Sequence, residues 1–259
     1  MTSKIATTAL LLLAACGGTE MIAADDLATS QSAALSVEAA NQAGGFLALV
    51  ADSTGDAATG IAAAQSAAQL TSQFTPAGCA TATTSGNQVT YTFTACTGPY
   101  GMTKLTGTVI VQFSLAGLSS MEIEVASTGL LVGAATLDLS ATATYDKGAT
   151  TYTLTVASTT KGTSARAGAI TQMGMYTITW DATCLQLDGT FSSGFRAETW
   201  STAISGYERC SNQCPKAGGM VTVTGPNNRS VTISYSGGGT AYAMTSSGQS
   251  GMIALPCAD

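Results

Sequence analysis

Cysteine and carboxylate are the side chains through which this sequence could do chemistry. Its 259 residues hold seven Cys, fifteen Asp and Glu, nine Lys and Arg, and no His. Without His, neither a Ser-His-Asp nor a Cys-His nucleophile can be assembled, and no imidazole is present to hold a metal. Glu122 and Glu124 lie two apart in a segment that alternates apolar and polar residues. Both side chains therefore leave one face of a strand, as paired acid chemistry would need and as the solvated face of an antiparallel strand shows far more often. Asp181, Asp188 and Glu198 are further carboxylates, and spacing alone does not place them relative to one another.

Six cysteines, Cys79, Cys96, Cys184, Cys210, Cys214 and Cys257, lie in the later part of the chain and read as three disulfides of an exported protein. Cys79 and Cys96 flank a turn at Ser85-Gly86-Asn87 and should meet across one hairpin, where closing the loop is worth ~3 kcal/mol in the chain-entropy model. For the other four, Cys184–Cys210 with Cys214–Cys257 would tie the last strands together and fasten the C-terminus. Cys210–Cys214 with Cys184–Cys257 is the alternative. The run Cys210-Ser211-Asn212-Gln213-Cys214 is not a CxxC, and no second close pair completes a zinc site, so no metal or cofactor is expected. Ser158-Thr159-Thr160-Lys161 matches the S-x-x-K of serine acyl-enzymes. It follows an extended segment rather than opening a helix, and no Ser-Asp-Asn or Lys-Thr-Gly accompanies it.

The N-terminus has a different character. Met1 to Lys4 carries one positive charge, Ile5 to Leu13 is largely apolar and ends in four leucines, and Ala14-Ala15-Cys16 follow. The run is shorter than the ~20 residues a membrane helix requires and reads as an export signal. Leu13-Ala14-Ala15-Cys16 resembles the lipobox of bacterial lipoproteins. The resemblance implies that residues 1–15 are a signal peptide removed before Cys16, that the Cys16 thiol carries diacylglycerol, and that the new amino terminus is acylated. Two or three chains, at ~0.8 kcal/mol per buried methylene, make such attachment effectively permanent. Gly17, where lipoproteins retained in the inner membrane have Asp, implies the outer membrane of a Gram-negative bacterium. Lipidating Cys16 also leaves an even number of cysteines. Residues 16–25 would then be the lipidated Cys and a short tether, reaching at most ~30 Å.

Two layers would position these residues within a single β-rich domain, 26–259. Residues 26–75 are Ala-rich. Asp25-Asp26 could cap one helix running to about Ala43, Gly44-Gly45 interrupts it, and Asp56 could cap a second helix through Leu70. From Cys79 to Cys257 the period becomes two. Val89, Tyr91 and Phe93 share a face, as do Val109, Val111 and Phe113, Met121, Ile123 and Val125, and Tyr176, Ile178 and Trp180. Further short segments include Phe195 to Trp200, Val231 to Tyr235 and Thr240 to Met244. The fold class expected is mainly β, with some helix: an antiparallel meander of about eleven strands, curled or partly barrel-like. The Ala-rich helices should cover its apolar face.

Charged residues make up 9% of the chain, against about 25% in a typical globular protein, and the net charge is −6. That excludes the basic surface on which nucleic acid is bound. Three functions fit. The first is a non-catalytic, lipid-anchored envelope protein acting through its surface, with the membrane as a partner through Cys16. The second is an anchored carrier whose apolar ligand lies in a cavity lined by Tyr91, Phe93, Phe113, Tyr176 or Trp180. The third is a hydrolase in which two of the named carboxylates converge in a cleft.

Overall fold

The computed structural model describes residues 24–54, 57–102, 104–116, 120–132, 135–147, 152–164, 168–181, 183–195, 198–211, 213–255 and 257. The signal, the lipobox with Cys16, and the expected cap Asp56 lie outside the described residues.

Thirteen antiparallel strands form one sheet: β1 Ala80–Ser85, β2 Gln88–Cys96, β3 Leu105–Leu115, β4 Ser120–Val132, β5 Ala135–Lys147, β6 Tyr152–Ser164, β7 Gly168–Trp180, β8 Cys184–Phe195, β9 Glu198–Cys210, β10 Met220–Thr224, β11 Ser230–Tyr235, β12 Thr240–Thr245 and β13 Ser250–Ala254. Their spatial order is their sequence order, so the sheet is a meander with β1 and β13 as its two edges and is not closed. The expected count of eleven is corrected to thirteen. Of the two edges, β1 is foreseen only as the first arm of the Cys79–Cys96 hairpin and β13 not at all, and each buries a single apolar side chain, Ala80 in β1 and Ile253 in β13. An edge strand with so little apolar surface carries no alternation to read. The segment Phe195 to Trp200 is also corrected: it straddles the connection between β8 and β9.

The helical region departs further from expectation. Helix α1 runs unbroken from Ala24 to Thr54, through the glycine pair, and α2 spans Gly60–Ala67 before a 3-10 turn over Ala68–Gln73. Thr59 caps α2, its hydroxyl accepting from the Ala62 backbone N–H at 3.1 Å. Phe46, Leu47, Ala48, Leu49, Val50 and Ala51 are all buried, six consecutive positions that cover every side of the helix. A helix apolar all round belongs inside a protein rather than on one face of it.

Accordingly α1 touches β4 and every strand from β7 to β13, while α2 packs on β2 and β3. Phe46 meets Tyr91 and Phe93 of β2 edge-on, with ring centroids 5.3 and 5.9 Å away. The sheet curls around α1 instead of being covered by it. The glycine pair makes this possible. A Cβ on Gly44 would stand 2.8 Å from Ile178 Cδ1, and one on Gly45 would stand 3.3 Å from Tyr100 Cβ. Each glycine costs about 1 kcal/mol of helix propensity, which close packing offsets.

The β2–β3 connection fastens the helix. Asn41 Nδ2 donates to the Tyr100 carbonyl at 3.1 Å and Gln42 Nε2 to that of Gly101 at 2.8 Å. Tyr100 in turn donates its hydroxyl to the Asp181 carbonyl at 3.1 Å and its backbone N–H to Ser211 Oγ at 3.3 Å. Gly101, at φ 78°, lies against the buried Arg209 guanidinium, in a conformation and a space that leave no room for a side chain.

Candidate functional site

The described carboxylates among those singled out in the sequence serve the backbone or lie on the outer face. Asp181 Oδ1 accepts from the Thr183 and Cys184 backbone N–H groups at 2.7 and 2.8 Å and from the Thr183 hydroxyl at 3.0 Å. These bonds hold its carboxyl below the ordinary Asp range. Asp188 Oδ1 accepts from the Gly206 backbone N–H at 2.6 Å, and its Oδ2 from Gln186 Nε2 at 3.1 Å. Glu122 and Glu124 stand side by side on the outer face of β4, in register with Thr144 and Thr142 of β5. Three strands separate this pair from Asp188, so the two groups of carboxylates do not converge. The Glu198 side chain lies outside the described residues. Ser158 is buried and Lys161, three positions on, is exposed, so the two leave opposite faces of β6.

The three disulfides join Cys79 to Cys96, Cys184 to Cys210 and Cys214 to Cys257, with Cα separations of 5.4, 4.0 and 5.4 Å. Cys184 and Cys210 are direct partners across β8 and β9. Potential metal-ligand atoms of Cys184, Glu208 and Cys210 lie within 4.8 Å of one another. The two sulfurs are spent on each other, however, and Glu208 pairs with Lys216 at 2.5 Å. That cluster has no thiolate to offer a metal.

Among the described residues the interior is closely packed. Tyr91, Phe93, Phe113, Tyr176 and Trp180 are all buried in the core, and of the five only Phe93 borders the cavity described below. Tyr91 donates its hydroxyl to the Ala67 carbonyl at 2.6 Å, and burial raises its pKa. Burial also pushes the Tyr176 hydroxyl up to about 12, against a smaller opposing pull from the Ser158 hydroxyl. A cavity lined by Gln42, Phe46, Phe93, Leu139 and Thr160 measures about 30 Å³. That is room for roughly one water, an order of magnitude below the ~300 Å³ of a small ligand pocket.

One stretch of the inner face is polar. Thr160, Gln172 and Ser193 form a cross-strand row over β6, β7 and β8, with Thr202 nearby on β9, and all four are buried. Gln172 Nε2, Ser193 Oγ and Thr202 Oγ1 have no hydrogen-bond partner among the described residues.

The larger concavity is outside. It holds about 320 Å³ on the outer face of β5, β6 and β7, bordered by Ser140, Thr142, Ala157, Thr159, Met173 and Met175. Met173 is 62% and Met175 61% exposed, which with Met252 makes them the most exposed large apolar side chains among the described residues. A second exposed row, Met220, Ser234, Tyr242 and Met252, runs straight across β10 to β13. Sequence reading assigned neither. Parity carried the signal: once Tyr176, Ile178 and Trp180 face inward, Met173 and Met175 must face outward.

No protein-family model, no curated protein and no solved structure matches this chain.

Proposed function

We propose that this protein is a lipid-anchored component of the Gram-negative cell envelope, held to the outer membrane through Cys16 and acting through its surface rather than by catalysis. The closely packed interior is the observation that carries this reading. The sheet is wrapped on a helix, and the cavity described between them, about 30 Å³, admits nothing larger than water, which leaves the outer wall as the part that meets other molecules. That wall is rich in Ser and Thr and poor in charge, which suits a structural or adhesive role. A carrier would need roughly ten times the internal volume. A carboxylate hydrolase would need two acids facing one cleft, whereas Asp181 and Asp188 are committed to backbone N–H groups.

Fractionation with fatty-acid labelling tests the anchor. The chain with its own signal should enter the membrane fraction and take up label, and Cys16→Ala should do neither. Membrane fractionation that survives Cys16→Ala ends the lipoprotein reading. The non-catalytic part is tested by complementation of an envelope defect in a strain lacking the gene. The Glu122→Gln, Glu124→Gln, Asp181→Asn, Asp188→Asn variant should restore the envelope, and failure of that variant at wild-type abundance would favour acid chemistry.

A further inference from the structure

We propose that Met173 and Met175 form a two-sulfur site for a soft monovalent cation, copper(I) or silver(I), on the outer face of β7. The two residues leave the same face two positions apart, so their Cβ atoms are separated by about 6.6 Å. Each side chain has three rotatable bonds. The sulfurs can therefore close on one ion from opposite sides, at metal–sulfur distances of about 2.3 Å as thiolate sulfur makes with zinc. Both are more than 60% exposed, so this movement disturbs no core contact.

The surroundings favour such an ion. The 320 Å³ concavity gives it room beside the strand. Thr159 and Thr190, opposite Met173 and Met175, offer only weak hydroxyl oxygens. Competing imidazole, thiolate and carboxylate ligands are scarce: the chain has no His, the six cysteines of the folded region are in disulfides, and the carboxylates of Asp138 and Asp188 accept backbone hydrogen bonds; the other exposed pair of sulfurs, Met244 and Met252, lies on β12 and β13. Thioether ligands select copper(I) over zinc or copper(II), which prefer imidazole and carboxylate. A thioether has no proton to lose, so binding should vary little with pH, unlike a thiolate or imidazole site.

Three other methionines provide internal controls. Met220 is 44% exposed but stands between Ser205 and Ser234, with no second sulfur beside it on the neighbouring strands. Met102 and Met121 are buried. The experiment is a silver nitrate titration, in chloride-free buffer, of the chain labelled with carbon-13 at the methionine methyl groups. Cys16→Ser removes the thiol outside the three disulfides. The Met173 and Met175 methyl signals should shift together, with half-saturation at least tenfold below that of Met220, while Met102 and Met121 stay in place. Met173→Leu should weaken the response of Met175 to the level of Met220, and Met175→Leu should do the same to Met173. Signals of Met173 and Met175 that do not move, that respond no more tightly than Met220, or that are indifferent to loss of the partner would overturn the site.

Discussion

The backbone N–H of Gly206 donates to Asp188 Oδ1 across β8 and β9, and the same device recurs across β4 and β5, where Gly129 donates to Asp138 Oδ1 at 2.7 Å. Both glycines are left-handed, with φ of 61° and 64°. Both lie at register shifts, one after the Leu187–Tyr207 pair and one between Ser127 and Leu130. A β-bulge leaves a ladder N–H unpaired and increases local twist. A carboxylate on the neighbouring strand takes up that N–H, and the added twist helps a broad sheet bend around a helix.

Removing that carboxylate should loosen the bulge. Asp188→Ala is expected to cost about 1–3 kcal/mol, as for a hydrogen bond to a charged group. Asp188→Asn should cost less, because its amide oxygen still accepts. Gly206→Ala, which forces a Cβ into left-handed backbone, should cost about 1–2 kcal/mol. Urea unfolding measures all three, and an unchanged midpoint for Asp188→Ala would remove the bulge-holding role.

Acid should weaken the β7–β8 turn. Asp181 is held below its ordinary value by hydrogen bonds from Thr183 and Cys184 that favour the charged form. A depressed folded-state pKa gives stability that is present above the unfolded value of about 3.9 and is lost as pH falls through the folded value. Melting temperature followed from pH 6 to pH 2 should therefore fall, and Asp181→Asn should fall less steeply below pH 4. Parallel curves would show that Asp181 contributes nothing to the acid response.

Ser193→Ala and Thr202→Val should stabilise the protein. Their buried hydroxyls have no partner among the described residues, and replacing such a group by an apolar one of similar shape is neutral or favourable. Each should add up to about 1 kcal/mol, or roughly 2–4 °C in Tm for a chain of this size. A loss of several degrees would mean that the hydroxyls are paired in solution.

Sheet and helix should also depend on each other. Deleting Asp26 to Leu70 removes the core that Phe46, Leu47 and Val50 supply and exposes the inner faces of the strands. Such a chain should aggregate or bind a hydrophobic dye, even with its disulfides formed. A cooperatively melting monomer would show that the sheet stands alone.

The strands most legible in the sequence were those whose inner face is wholly apolar, such as Val89–Tyr91–Phe93 and Val109–Val111–Phe113. Alternation failed where the interior itself is polar. Thr160, Gln172, Ser193 and Thr202 face inward, so parts of β6 to β9 carry no apolar alternation to read. Helix α1 was misread because Gly44-Gly45 is a breaker by propensity. Its role here depends on Ile178 and Tyr100, more than fifty residues away in the chain. The outer methionines were hidden for a related reason, since an apolar residue reads as core until the parity of its strand is settled.

Because each strand pairs only with its predecessor and successor, a hairpin could be duplicated or lost in descent without rethreading the rest of the chain. What limits such change is girth. Two strands more would leave a gap around a helix about 10 Å across, and two fewer would leave part of it uncovered. The helix thus acts as a gauge for the sheet, and lineages that alter the number of hairpins should show matching changes in the size of the residues at positions 44 to 50.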